Sequence, residues 1–235
     1  MNRSLPSPPK YRIGPAPSPL ADSLIDTLMQ CETTMLGHIL YWGAMDTGLR
    51  PNAGLAPRVA GRALTVQCPG PCSTILHHAI GLARPGDILV IDRLGDTRHA
   101  CLGDGVAAAA MRAGIIAAVI DGPCTDTAEL ADLGFPVWCR GTSPITTRLL
   151  DLGGRVRVPV SCGGVAVSAG DAVLADADGI YAMDPAEAEL IAGIALERGQ
   201  IVAGRRAARD GDATLPLGEM TGATAMVEAG AISVD

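Results

Sequence analysis

Aromatic side chains are scarce in this chain, with one Phe, two Trp and three Tyr among 235 residues. Its core must therefore be assembled from Ala, Val, Ile and Leu. Long apolar runs are missing too. None approaches the ~20 residues that cross a bilayer as a helix, so no membrane partner is expected. The opening Met1-Asn-Arg-Ser-Leu-Pro-Ser-Pro-Pro9 has no apolar stretch of the signal-peptide kind, and a cytoplasmic location is expected. Positive charge is also short: 18 Lys and Arg against 25 Asp and Glu leave a net charge of −7. That balance argues against direct nucleic-acid binding, which needs a basic surface. It still admits a small anion held by a local cluster or a metal.

Several motifs are absent as well. Seven cysteines, at 31, 68, 72, 101, 124, 139 and 162, form an odd set without the even pairing of a disulfide framework. Cys68-Pro-Gly-Pro-Cys72 has a spacing that zinc could use, but no second pair completes four ligands. Buried free thiols are the expectation. No His-x-x-x-His pair and no Gly-x-Ser-x-Gly turn occurs, which removes zinc-protease and serine-hydrolase readings.

What is present reads as an α/β protein. A hydrophobic content of 48% with 18% charged residues is that of a globular chain. Residues 1–19, rich in Pro and Ser, suggest an extended arm. Residues 20–209 read as a single domain, and 210–235 as a tail without assignment. Helical spacing of Leu20, Leu24, Ile25 and Leu28 marks a helical region from Pro19 to about Ala44, interrupted at Cys31-Glu-Thr-Thr34. Arg58–Gln67 reads as a strand with a Gly bend, and Thr74–Leu82 as a helix. Ile88–Asp92, Ile115–Ile120 and Phe135–Arg140 read as buried strands. An Ala-rich helix fills Gly105–Arg112, with Gly114 at its C-cap, and a short helix fills Thr127–Leu133. Val156–Val160 and Ala172–Ala175 add strands, and Ser168-Ala-Gly-Asp171 a turn. Asp184-Pro185 opens a C-terminal helix that reaches about Arg209.

Ligands in such folds gather beyond the carboxyl ends of strands. Two strands here run into polar loops: Asp92-Arg-Leu-Gly-Asp-Thr-Arg-His-Ala-Cys-Leu-Gly-Asp-Gly105 and Asp121-Gly-Pro-Cys-Thr-Asp126. If the strands are neighbours, both loops face one cleft. Gly103, Asp104, Gly105 and Val106 would then offer backbone N–H groups at a helix N-terminus to a carboxylate or enolate. Asp126 and Asp104 could share a hard divalent cation, and Arg98 or Arg93 could grip a substrate carboxylate. Each has a plainer reading. Asp126 equally suits the N-cap of the next helix, and the residues alone leave capping and metal binding even. Asp104 could cap, Arg93 and Arg98 could be surface ion-pair partners, and Asp87 and Asp171 read as turn residues. Among the four histidines, His99 lies in the candidate loop and His38 follows Gly37 in a helical segment. His77 and His78 are adjacent on a helix and point apart, so one is expected buried and the other exposed.

The ordered set Arg84-Pro-Gly-Asp-Ile-Leu-Val-Ile-Asp92, Ala100-Cys-Leu-Gly103, Val119-Ile-Asp-Gly122, Thr125-Asp126 and Phe135-Pro-Val137 with Arg140-Gly141 resembles the RraA-like family. The similarity runs from about Leu20 to Arg198. That family includes class II pyruvate aldolases acting on 4-hydroxy-4-methyl-2-oxoglutarate and 4-carboxy-4-hydroxy-2-oxoadipate. The resemblance implies an αββα sandwich of the swivelling-domain type, assembled as homotrimers or homohexamers with sites between subunits. It implies magnesium or manganese held by Asp126, the pyruvyl part held by main-chain groups of Gly103 to Val106, and cleavage of a small anionic 2-oxo acid to pyruvate. Oxaloacetate decarboxylation is the implied side activity, through the same metal-stabilised enolate. The chain departs from the aldolases at Thr125, where they carry an Arg that grips substrate. His38 stands where they carry an acidic residue. Their acidic C-terminal residue has Glu197, then Glu189, as its nearest matches. A repositioned cation, from Arg98, Arg93 or a neighbour's His38, is one resolution and implies a lyase with a different substrate. The other is a non-catalytic regulator, because the family takes its name from a protein that binds and inhibits RNase E. Methyl transfer to a menaquinone precursor, a third label given to such sequences, lacks the glycine-rich nucleoside loop it needs.

Overall fold

The apolar runs of the central sequence become neighbouring strands. In chain order the strands are β1 (Tyr11–Ile13), β2 (Arg50–Pro51), β3 (Val59–Gln67), β4 (Asp87–Asp92), β5 (Ala117–Ile120), β6 (Val137–Cys139), β7 (Gly154–Val156), β8 (Val160–Cys162), β9 (Val165–Val167), β10 (Ala172–Ala175) and β11 (Ile180–Met183). The helices are α1 (Asp22–Leu28), α2 (Thr33–Gly37), α3 (Thr74–Ile80), α4 (Asp104–Arg112), α5 (Thr127–Leu133), α6 (Pro185–Asp210), α7 (Leu217–Thr221) and α8 (Ala223–Gly230). The computed structural model describes residues 8–54, 56–210 and 216–231. The first seven residues of the expected arm and parts of the expected tail lie outside them. The chain divides into two compact units, 1–195 and 196–235. The second holds the end of α6 with α7 and α8, and neither α7 nor α8 buries a residue.

Strands β3, β4, β5 and β6 lie side by side in that order, all parallel. Parallel strands covered on both faces read as unbroken apolar runs, and the alternation here divides between two cores. Leu64, Val66, Leu89, Ile91, Ala118 and Ile120 pack with Leu76, Ala107 and Leu130 of α3, α4 and α5. Ala63, Ile88, Val90, Ala117, Val119 and Trp138 pack with Val160 and Val167 of the β8–β9 hairpin and Val173 of β10. Outside that layer, α6 meets the segment after α1, where the Cys31 thiol donates to the Ala192 carbonyl. The result is the expected α/β fold, an αββα sandwich of the swivelling-domain type.

β3 organises the sheet because it pairs along its whole length. Its first half takes β10, its end takes β7, and β4 runs along the other edge. Gly61 is required there for close approach: a Cβ would collide with the Gly86 carbonyl and lie 2.9 Å from Ile88 Cγ1. Beside it, Arg62 and Asp87 form a buried ion pair at 2.7 Å. Arg62 also reaches the Pro17 and Ser18 carbonyls, tying the N-terminal segment to the sheet. Asp87 accepts from the Arg84 N–H at 2.8 Å, so it is both the expected turn residue and half of that pair. One of the two tryptophans is used centrally. Trp138 is fully buried, and its Nε1 donates to the Asp176 carbonyl at 2.9 Å.

Two expectations need correction. The helical region from Pro19 is interrupted near Cys31 as expected, with Thr33 at the start of α2 bonded to Asp176 through its N–H and hydroxyl, but it ends at Gly37 and not near Ala44. Val156–Val160 is not one strand: Arg157 takes a left-handed φ of 57° and turns the chain between β7 and β8. Asp184 does cap α6, accepting from the Ala186 N–H at 2.9 Å. No helix among the described residues is long and apolar enough to cross a membrane.

Candidate active site

The two polar loops do share one end of the sheet, since β4 and β5 are adjacent and parallel. They are also stitched together. The Thr125 N–H donates to the Leu102 carbonyl at 3.0 Å, which brings Asp126 against Gly103, the N-cap of α4. Asp121 anchors the start of its loop by accepting from Arg140 Nε and from the Gly163 N–H at 2.9 Å. The segment after β6 then crosses all three strand-end loops, bridging Cys124 through Thr142, Ala100 through Thr146 and Cys72 through Arg148.

Asp126 sits at the N-cap position of α5 but makes no side-chain cap bond. Its backbone is left-handed, with φ 56° and ψ 49°, a conformation that costs a non-glycine residue about 1 kcal/mol or more. The carboxylate turns instead toward α4, where Oδ2 accepts from the Asp104 N–H at 3.2 Å. Oδ1 meets the Thr125 hydroxyl at the same distance. Both contacts are long for charge-assisted bonds, and a carboxylate has about four acceptor sites, so capacity remains for a ligand. Gly103 is what permits this approach. A Cβ there would overlap Asp126 Oδ2 and lie 2.8 Å from Thr125 Cγ2.

Around these groups lies a cleft of about 230 Å³. Its floor is Gly103, Asp104, Gly105 and Val106, and its walls include Ser73, His77, Cys101, Thr125, Asp126, Thr146 and Thr147. The Gly105 N–H is taken by Asp104 Oδ1 at 2.6 Å. The Val106 N–H has no partner among the described residues, as befits the open first turn of a helix. Burial pushes the Cys101 thiol up to about 11, so it is an apolar wall and not a nucleophile. Two larger hollows, about 380 and 510 Å³, flank Pro19 and Leu20. They lie away from the carboxyl ends of the parallel strands, where ligands gather in folds of this kind.

Other candidate residues stand elsewhere. Arg93 is fully buried, with its guanidinium on the Cys68, Gly70 and His99 carbonyls at 2.9, 2.5 and 3.2 Å. It is therefore an internal loop tie and not a surface ion-pair partner. Arg98 is exposed, outside the cleft lining, and its carbonyl accepts from the Ser143 hydroxyl. His99 is held by Asp96, its Nδ1 2.8 Å from Oδ2. Burial raises the Asp96 carboxyl, but bonds from the His99 and Arg98 N–H groups and the His99 ring hold it below the usual range. His38 ends α2 and is exposed. Glu189 lines one of the larger hollows, and Glu197 falls in the second unit. His77 and His78 are both exposed, against the expectation of one buried, because Leu76, Ala79 and Ile80 supply the buried face of α3. His77, Ser73, Thr146 and Thr147 were missed. For Thr146 and Thr147 the only sequence signal is the hydroxyl-rich run after Gly141, which is uninformative until the bridges place it.

The donor set bears on a metal. Among the described residues no group of three or more His, Cys, Asp or Glu side chains comes together as a cage. All seven cysteines are free and buried. Asp126 with its spare lone pairs, and Asp104 at the mouth, instead fit a hard cation that keeps most of its waters, as magnesium does.

The RraA-like family pattern (Aldolase/RraA) matches residues 26–181. A protein of Halalkalibacterium halodurans with the provisional name 4-hydroxy-4-methyl-2-oxoglutarate aldolase is 37% identical over 132 residues, 56% of this chain and 62% of that protein. One of Alcanivorax borkumensis with the same provisional name is 34% identical over 161 residues, 68% of this chain and 91% of that protein. The chain spans about three fifths of the length of the first curated relatives it matches. Among solved structures, Streptomyces coelicolor RraAS2, described as an unusual member of the RNase ES inhibitor RraA family, matches with a TM-score of 0.73 at 29% identity. That match covers 80% of this chain and 98% of RraAS2.

Proposed function

The chain belongs to the RraA-like family, and we propose that its strand-end cleft is the site of a metal-assisted carbon–carbon lyase acting on a small 2-oxo acid. One observation carries this reading: Asp126 takes a strained backbone, gives up capping its own helix, and turns an under-used carboxylate toward the open N-terminus of α4. Asp126 would hold magnesium or manganese, with the cation's other positions left largely to water. When bound, the cation would supply Lewis acidity toward the 2-oxo group. The first turn of α4, through the Val106 N–H and the helix dipole, would seat the substrate carboxylate. In the retro-aldol direction the C4 hydroxyl gives up its proton, and the C3–C4 electron pair moves toward the 2-oxo carbon. A carbonyl product leaves, and C3 takes a proton to give pyruvate. Asp104, exposed and with one oxygen free of partners among the described residues, is the proposed proton acceptor. Arg98 and His38 remain candidates only if a second copy in a trimer or hexamer brings them to the cleft.

Pyruvate release from oxaloacetate and from 4-hydroxy-2-oxo acids, with and without magnesium, tests the reading. Metal-dependent turnover that disappears in Asp126→Asn is expected. No turnover on any of them sinks it.

The second reading is a protein-binding regulator of the RNase-inhibitor type, and relatives of solved structure give it the firmer footing. RraAS2 matches over nearly its whole length. Exposed apolar side chains such as Leu94, Leu149 and Leu152, each more than half exposed, offer contact area for a partner. Titration against an RNase E-type catalytic domain separates the two, since a regulator should bind it equally well as Asp126→Asn.

A further inference from the structure

The walls of the cleft say what kind of 2-oxo acid would fit, an inference that rests on the lyase reading. Ser73 is only 3% exposed, lines the cleft, and its hydroxyl has no hydrogen-bond partner among the described residues. A hydroxyl held in the wall without a protein partner needs one from the cleft's contents. Exposed Thr146 and half-buried Thr147, carried in by the crossing segment, add two further hydroxyls to the lining. Thr125 adds a fourth hydroxyl beside Asp126.

Charge points the same way. Among the described residues no Lys or Arg lines the cleft, and its fixed charges are the carboxylates of Asp104 and Asp126. A bound divalent cation would offset both, leaving the first turn of α4 for a single substrate carboxylate. A second substrate carboxylate would meet hydroxyls where it needs a cation. Among the described residues His77 is the one lining side chain able to become positive.

We propose that the substrate is a 2-oxo monocarboxylate whose distal half carries neutral hydroxyl groups, the class represented by 2-oxo-3-deoxy sugar acids, and not a dicarboxylate. The reaction that supplies it would be dehydration of a sugar acid, which leaves the 2-oxo group, the C3 methylene and the C4 hydroxyl that retro-aldol cleavage needs. Cleavage of the C3–C4 bond then gives pyruvate and a hydroxyaldehyde, the C4 hydroxyl proton and the proton gained at C3 balancing.

The test uses a matched pair that differs only at C5: 2-oxo-3-deoxypentonate, ending in CH2OH, and 4-hydroxy-2-oxoglutarate, ending in a carboxylate. Pyruvate formation is followed with the full chain and excess magnesium at about pH 8. The expected kcat/KM favours the hydroxylated acid by about tenfold or more. Ser73→Ala should lower kcat/KM for that acid alone, and Thr125→Arg should shift the preference toward the dicarboxylate by about tenfold. Circular dichroism checks that both variants fold. Equal or better turnover of 4-hydroxy-2-oxoglutarate by the unmodified protein overturns the inference and leaves the lyase reading standing. Failure of both acids and of oxaloacetate to give pyruvate overturns both.

Discussion

Gly103→Ala isolates the position of the Asp126 carboxylate from every other property of the site. Gly103 has φ −135° and ψ −165°, extended values that alanine adopts freely, so no backbone strain enters. The new methyl would overlap Asp126 Oδ2. Restoring an ordinary contact of at least 3.4 Å forces the carboxylate back by more than ~1 Å, a misplacement that can cost about 100-fold in rate. Overpacking of this kind costs about 1–3 kcal/mol, partly offset by the smaller unfolded-state entropy of alanine, about 0.4–1 kcal/mol. The net destabilisation should therefore be small while function falls steeply. Gly105→Ala is the control: a Cβ there meets nothing within 4 Å, and alanine favours the helix by up to about 1 kcal/mol. Thermal melts, magnesium titration calorimetry and pyruvate release would be measured on both. If Gly103→Ala holds magnesium and turns over substrate within about twofold of the unmodified protein, the dependence of function on where the Asp126 carboxylate sits is refuted.

Asp126→Gly should leave stability within about 1 kcal/mol, relief of the left-handed backbone offsetting the larger unfolded-state entropy of glycine, while abolishing magnesium binding; a loss well beyond that in urea titration would contradict the strain. Arg62→Ala should cost about 3–5 kcal/mol, because Asp87 would remain buried without its partner, a loss readable in denaturant midpoints. Asp176 predicts an acid dependence. Burial raises its carboxyl, but the donors from Thr33, Asp178 and Gly179 outweigh burial and hold it below the ordinary value of 3.8. Its stabilisation is then complete above pH 3.8 and is lost as the pH falls through the lower folded value. The stability gap between the unmodified protein and Asp176→Asn should accordingly narrow below pH 3.8, and a gap that widens there would reverse the sign.

The parallel centre of the sheet was legible because β4, β5 and β6 are apolar runs bounded by turns, a pattern with few alternative folds. Their ends differ from the expectation by one or two residues, as at Ile115, where the strand begins at Ala117. The short strands β1, β2, β9 and β11 were not legible. Their two to four residues carry too little pattern, and what defines them is the neighbour they pair with. In the site, the loops ending at Gly103 and Asp126 could be placed in one cleft from strand order alone. The arginines could not be placed, because the sequence does not say whether a guanidinium turns inward. Arg93 does so because three carbonyls converge on it. The threonine wall was invisible for a related reason, since residues 142–148 reach the cleft only through bridges to three separate loops.

Thr125 and Arg93 bear jointly on what the cleft can hold. Replacing Thr125 with a long cation would place charge beside Asp126, whose oxygens now meet only a hydroxyl and one backbone N–H. Moving Arg93 into the cleft would strip three carbonyls of their donor, leaving the buried one of Cys68 unpaired at about 1–3 kcal/mol and the part-buried ones of Gly70 and His99 at less. A cation recruited from within this chain is therefore costly, whereas a neutral substrate end needs none. A partner subunit could supply one only by presenting an exposed residue such as Arg98 to the cleft of another copy. Arg98→Ala discriminates these cases directly: a substrate read through hydroxyls should keep its KM, and one read through a partner's guanidinium should lose about tenfold or more.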